Sequence, residues 1–273
     1  MKDKRILYIS SELAPYLPET EVSRMAFEVP KEMHHQGAQI RMFMPRFGVI
    51  NERRHQLHEV IRLSGMNLII NDMDMPLIIK VASVPKERMQ VYFIDNEEYF
   101  KRKAVFTDED GNLFKDNDER AIFFAKGVVE TVKKLNWSPD IIHIHGWMAS
   151  LLPLYLKEYY KNDPLFAESK IVTSAFNYNT QGVLDKEELY EKIRFDQISE
   201  DKLQPLKNGK KDPFVRLAIE NSDAVIKGSR ELNKEITDLI AKLEIPVLEY
   251  QPEDGFTEAY SNFYMNRVLE KDC

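Results

Sequence analysis

Residues 140–153 read DIIHIHGWMASLLP, and the change of character within this stretch decides the fold. Ile141, Ile142 and Ile144 make a short β-branched run bounded by Pro139 and Gly146, the pattern of a strand buried on both faces of a parallel sheet. Trp147, Leu151, Leu152, Leu154, Tyr155 and Tyr159 then recur at three- and four-residue steps, which predicts an amphipathic helix starting at once. Strand, glycine turn and helix form one unit of a Rossmann-like, doubly wound, mostly parallel α/β sheet. Ligands of such sheets bind at the carboxyl ends of the strands, so His143, His145 and Gly146 lie at the edge of the expected site.

Working outward, residues 116–135 read as a long helix with a capping start, and residues 170–175 as the next strand, delivering Phe176, Asn177 and Gln181 to the same edge. Residues 5–10 are the first strand, 22–35 the helix after it, with Met25, Val29 and Met33 at four-residue spacing, and 38–44 the second strand. The apolar runs 66–70, 77–84 and 89–94 follow one another without room for helices, which predicts an antiparallel hairpin region added to the parallel core. Residues 186–211 are densely charged and read as a mobile surface segment; 214–221 read as a helix, 223–227 as a strand, 229–239 as a helix capped by Ser229, and 245–249 as a last strand. Residues 256–269 form an amphipathic helix with Tyr260, Phe263, Tyr264 and Val268 on one face, a face that needs the rest of the chain to pack against. The expected organisation is one domain over 1–273, with a core at 1–250 and the returning helix at 253–270.

The chain has 273 residues, 43% of them hydrophobic, and a formal net charge of −7, which argues against nucleic acid and acidic membrane surfaces as partners. Its one cysteine, Cys273, permits no internal disulfide, and no apolar run approaches the ~20 residues of a membrane span, so a cytoplasmic location is expected. The loop SSELAPYLPETE, residues 10–21, would face the cleft, but Glu19 and Glu21 repel a phosphate and Pro18 has no backbone donor to cradle one, so the loop reads as an acidic helix cap. Arg46, Arg53, Arg54 and His55 admit an anion, yet Glu52 and Glu59 among them favour a solvated surface. His143 and His145, two apart on a strand, share a face and admit three readings: metal ligands, a polar pocket wall, or structural histidines. No third ligand stands at useful spacing, no nucleotide or hydrolase motif is present, and no metal or cofactor is expected.

Several segments in order resemble the amino-terminal half of bacterial glycogen and starch synthases, glycosyltransferase family 5. Ser11, Glu12, Pro15, Val29 and Pro30 match the family's opening strand, loop and helix; FKDNDERAIFF supplies Asp116, Asn117 and Arg120 of its Asp-Asn…Arg-Phe helix start. DIIHIHGWMASLLP is similar to its D-V-V-H-A-H-D-W-H-T-G-L-x-P, VTSAFNYNTQG to its T-I-H-N-x-x-Y-Q-G, and DPFVRLAIENSDAVIKGS to its N-F-L-K-x-G-I-x-x-A-D-x-V-T-T-V-S. The resemblance implies the amino-terminal half of a two-domain GT-B fold, with AYSNFYMNRVL as the closing helix that packs back. It implies transfer of glucose from ADP-glucose to an α-1,4-glucan, with Glu12, His143, His145, Trp147, Asn177, Gln181 and Arg216 along the substrate cleft. The departures fall at the cleft: Pro18 replaces the loop lysine, Thr20 and Glu21 stand for its two glycines, Gly146 and Met148 replace an aspartate and a histidine, and Phe176 replaces another histidine. The expectation is a glycogen synthase-like chain without stand-alone activity, needing a separately encoded glycosyltransferase domain. The alternative is a non-catalytic glucan-binding or partner-binding module of glycogen metabolism.

Overall fold

The computed structural model describes residues 1–177, 186–207, 212–252 and 254–270; Gln181 and Cys273 lie outside the described residues. In chain order, β1 (Arg5–Ser10), α1 (Glu21–His35) and β2 (Gln39–Pro45) are followed by the short α2 (Glu52–His55), β3 (His58–Glu59), β4 (Met66–Ile70), β5 (Met73–Ser83), β6 (Gln90–Asp95) and α3 (Glu97–Phe100). Then come α4 (Asn117–Lys134), β7 (Ile141–His145), α5 (Leu152–Lys157), β8 (Lys170–Ala175), α6 (Lys186–Phe195), α7 (Gln204–Lys207), α8 (Pro213–Glu220), β9 (Ala224–Lys227), α9 (Lys234–Ile240), β10 (Val247–Leu248) and α10 (Phe256–Phe263).

β7 is buried along its whole length and lies in mid-sheet, parallel to β1 on one side, with Ser10 beside His145, and to β8 on the other, with Ser174 beside His145. The strand order is β10-β9-β8-β7-β1-β2-β6-β5-β3, with β4 pairing only with β5. A run whose Ile141, Ile142 and Ile144 fill both faces, with two buried histidines on one of them, suits this central place between covering helices. The Rossmann-like, mostly parallel sheet with an antiparallel margin is therefore present as expected. β6 differs in detail: it is antiparallel to β5 but parallel to β2, so it belongs to the core rather than to the appended hairpin.

Four local expectations are corrected. β7 is followed by a single 3-10 turn, Trp147–Ala149, before α5, and Tyr159 lies beyond α5 with 46% exposure, because the chain must bend sharply at Gly146 before it can wind. The charged segment after residue 186 is folded: α6, a 3-10 turn at Glu200–Leu203 and α7 bury Leu189, Tyr190, Ile193, Leu203 and Leu206. Its charges are anchors, since Lys192 Nζ stands 2.7 Å from Asp118 and 3.0 Å from Glu119 of α4, and buried Asp196 accepts from Lys126 Nζ at 2.6 Å and from Tyr155 Oη at 2.7 Å. The helix after β9 begins at Lys234, capped by Asn233, whose side chain accepts from Ile236 N at 2.9 Å; Ser229 is engaged elsewhere. Asp116 stands at the start of α4 but makes no capping bond with its side chain, which pairs with Arg102 instead.

α1 starts with a reciprocal capping box, Thr20 Oγ1 accepting from Ser23 N at 3.0 Å and Ser23 Oγ accepting from Thr20 N at 2.8 Å. The terminal helix packs on α1, where Ser261 Oγ donates to Gln36 Oε1 at 2.7 Å, and it widens into a π-turn over Tyr264–Val268. Tyr260, Phe263, Tyr264 and Val268 are all buried, and at roughly 1.5–3 kcal/mol for each large apolar side chain this face contributes several kcal/mol.

Candidate functional site

The carboxyl ends of β1, β7, β8 and β9 bring Ser11 and Glu12, His145 to Trp147, Phe176 and Asn177, and Gly228 and Ser229 to one edge of the sheet. His143 and His145 share a face of β7 and are both fully buried, yet their surroundings differ. His143 Nδ1 lies 2.6 Å from Tyr264 Oη and Nε2 lies 2.7 Å from Ser174 Oγ, and Tyr264 Oη is 3.3 Å from Tyr8 Oη. Burial, reinforced by neighbouring His145, holds His143 well below the ordinary imidazole range, so it is neutral, with one ring nitrogen donating and the other accepting. It is a structural histidine that ties the turn at the end of the terminal helix to the sheet.

His145 is the exceptional group. Among the described residues neither ring nitrogen has a hydrogen-bond partner, and the ring lies between His143, with centroids 4.0 Å apart, and Phe176 at 6.2 Å. Burial alone brings its pKa down to about 3. Its cover is Phe176, itself buried, whose ring presses on the Gly228 backbone so closely that a Cβ on Gly228 would stand 2.5 Å from it.

Gly146 is constrained in the same way. Its φ is +88°, in the left-handed region that glycine tolerates, and an added Cβ would lie 2.4 Å from Ser11 Oγ. Ser11 Oγ in turn accepts from Met148 N at 2.9 Å and Ala149 N at 3.3 Å, which fixes the turn and leaves no room for any side chain at residue 146. Met148 is fully buried, and Trp147 packs against Phe106 and Phe214 at 4.9 and 5.5 Å between ring centroids.

The remaining polar groups of the edge bind one another. Asn177 donates its backbone N–H to Ser229 Oγ at 3.3 Å and its side-chain amide to Glu231 O, and its Oδ1 accepts from Asn233 N at 3.1 Å. Ser229 Oγ donates to Glu21 Oε2 at 2.6 Å, joining the β9 loop to the first turn of α1. Glu12, raised above the usual carboxylate range by burial and lowered less by Thr20, accepts from Thr20 Oγ1 at 2.7 Å. Pro18 is exposed and offers only its carbonyl, which accepts from Ser23 Oγ at 3.2 Å. Arg216 is on α8, with its guanidinium 3.8 Å from Glu220 and 3.9 Å from Glu235. Among the described residues no group of three or more His, Cys, Asp or Glu side chains could hold a metal ion.

Sequence reasoning placed Glu12, His145, Trp147 and Asn177 at this edge but missed Tyr8, Ser11, Ser174, Ser229 and Tyr264. Tyr264 was within reach, because a tyrosine on a buried helix face needs a partner for its hydroxyl, and β7 carries two inward histidines.

The family model described as the starch synthase catalytic domain matches residues 5–244. A protein named glycogen synthase from Chlorobium limicola is 40% identical over 181 residues, covering 66% of this chain and 37% of that protein. Another of the same name, from Chlorobium luteolum, is 38% identical over 199 residues, covering 72% of this chain and 40% of that protein. Thus the chain spans well under half the length of these curated relatives. In structure it is similar to the catalytic domain of Starch Synthase IV from Arabidopsis thaliana, solved bound to ADP and acarbose, with a TM-score of 0.68 over 92% of this chain and 51% of that one; at 17% identity this likeness concerns the fold. No helix among the described residues is long and apolar enough to cross a membrane. With the family model covering most of the chain and the glycogen synthases about 40% identical to it, the chain belongs to the starch synthase catalytic domain family.

Proposed function

We propose that this chain does not transfer glucose by itself and serves glycogen metabolism as an α-glucan-binding unit whose cleft edge faces a saccharide or a partner domain. The observation that carries this reading is the sealed edge: Phe176 lies over His145, and Gly146 is held against Ser11. Glucosyl transfer from ADP-glucose develops charge on the departing diphosphate, and donors aimed at that charge are commonly worth ~3–4 kcal/mol each in the barrier. Here Pro18 supplies no backbone donor, Glu19 and Glu21 bring like charge, and the amide of Asn177 is bonded within the protein. Several such losses together put turnover below detection. The glycogen synthase relatives support the glucan as ligand.

The test is incorporation of radiolabelled glucose into glycogen from ADP-glucose and UDP-glucose, beside affinity electrophoresis in glycogen gels. We expect no incorporation and a glycogen-dependent retardation. Incorporation above a heat-killed control that disappears in His145→Ala would refute inactivity, and unretarded migration would refute glucan binding. In the partner form of the reading a separately supplied nucleotide-sugar domain docks on the same edge, and activity appearing only on mixing would select it.

A further inference from the structure

A groove of about 630 Å³ opens on the β2–β6 side of the sheet, between the loop after β1, the end of α2 and the β5–β6 turn. Tyr16, Arg41, Arg54, His55, Lys86 and Arg88 line it; no aspartate or glutamate does, and neither do His145, Gly146, Phe176 or Asn177. In a chain of net charge −7 this is an unusual concentration of one sign. Arg54, Lys86 and Arg88 are exposed, and none of them forms an ion pair among the described residues. The nearby carboxylates are engaged elsewhere: Glu87 accepts from His35 Nε2 at 2.8 Å, and Glu52 pairs with Arg46 and Lys80. The basic side chains of this wall are solvated, as expected, but Glu52 pairs with Arg46 and Lys80 and does not neutralise them.

Two further observations point to a ligand. Tyr16 is 6% exposed and its hydroxyl is buried with no hydrogen-bond partner among the described residues, while its ring is fixed edge-on to Phe93 and 4.9 Å from that of His55. Arg41 also has a buried Nη1 without a partner, and its guanidinium is 4.9 Å from the Trp137 ring. Buried donors without acceptors are rare in folded proteins because they lose their hydration without replacement. Ile40, Val84 and Pro85 give the groove an apolar side.

We propose that this groove binds a small phosphate compound carrying at least two negative charges, with Arg54, Lys86 and Arg88 meeting the phosphate oxygens and Tyr16 donating its free hydroxyl. Guanidinium groups match phosphate geometry, a lining rich in donors and free of carboxylates suits a polyanion, and a groove of this volume admits a molecule of sugar-phosphate size. The site does not depend on the glucan reading of the cleft edge.

Isothermal titration of the whole chain with pyrophosphate, and separately with glucose 1-phosphate, at ionic strength on the order of 50 mM tests it. Saturable one-to-one binding that weakens as salt is raised is expected. The combined Arg54→Gln and Arg88→Gln variant should bind about tenfold or more weakly, and Tyr16→Phe about three- to tenfold more weakly. The melting curve of the ligand-free arginine variant should be unchanged, since both side chains are exposed and unpaired. Tighter binding of glucose 1-phosphate than of pyrophosphate would assign the apolar side to an organic moiety, and equal binding would assign recognition to phosphate alone; either supports the site. Absence of saturable binding, or an affinity unchanged in the arginine variant, would overturn it, as would retention on a long polyanion without saturable pyrophosphate binding.

Discussion

Replacing Tyr264 by Phe removes one oxygen and keeps the ring, which isolates the polar link between the terminal helix and β7. That oxygen is buried, 2.6 Å from His143 Nδ1 and 3.3 Å from Tyr8 Oη, and no water can take its place without opening the core. The substitution therefore loses a hydrogen bond and also leaves a ring nitrogen of His143 without a partner in a fully buried position. An unsatisfied buried group costs about 1–3 kcal/mol, and at about 2–4 °C per kcal/mol for a chain of this size the melting temperature should fall by about 2–12 °C. Ser261→Ala is the control: it removes a half-buried bond between the same helix and Gln36 and should cost about 0.5–1 kcal/mol. Urea unfolding followed by far-ultraviolet circular dichroism gives both values, provided that the slope with denaturant is the same in all three proteins. A Tyr264→Phe protein as stable as the parent to within about 0.3 kcal/mol would refute the claim that this hydroxyl satisfies His143.

Acid should weaken the fold early. His143 and His145 are neutral when folded, with pKa values pushed down by burial, so below an unfolded value near ~6.5 the unfolded chain binds more protons. Stability contributed by the neutral rings is complete above that value and lost as pH falls from it toward about 3, with a slope approaching ~2.7 kcal/mol per pH unit for two sites. His145→Gln should roughly halve that slope, as read from urea midpoints between pH 5 and pH 7; an unchanged slope would show that His145 titrates freely. Gly146→Asp, which restores the residue implied by the family resemblance, should lose more than about 2 kcal/mol to the clash with Ser11 and the positive φ, and should produce no transferase activity. Recovered incorporation of glucose in that variant would mean that the turn at residue 146 yields.

The central strands were legible because burial on both faces leaves a run such as Ile141, Ile142 and Ile144 few other places to go. What they pair with was less so. Nothing in QVYFID says that one neighbour will be parallel and the other antiparallel, since the pleat exposes the same side chains either way. In KEELYEKIRF the charges masked a stripe, Leu189, Tyr190 and Ile193, whose burial depends on Asp118 and Glu119 receiving Lys192 from about seventy residues away in sequence. Ser229 has the composition of a cap and a different partner, Glu21, separated by 208 residues. The site shows the same division. Gly146 and Phe176 were visible as departures, but that Phe176 covers His145 depends on the bare backbone of Gly228, and the different fates of two histidines on one face depend on Tyr264. Local sequence reports the residue types at an edge; long-range contacts decide which of them stay open.

The link from Tyr264 to His143 spans 121 residues, and that to Tyr8 spans 256. On a ribosome that delivers the chain from its amino end, β1, β7 and β8 can assemble long before residue 264 emerges, but only around an imidazole that has Ser174 on one ring nitrogen and still lacks Tyr264 on the other. Until then the face of α1 that receives the terminal helix is open to solvent and to other nascent chains. Folding of this protein should therefore end in a closing step that cannot begin until residue 264 has emerged, and the waiting intermediate is the species a chaperone would meet.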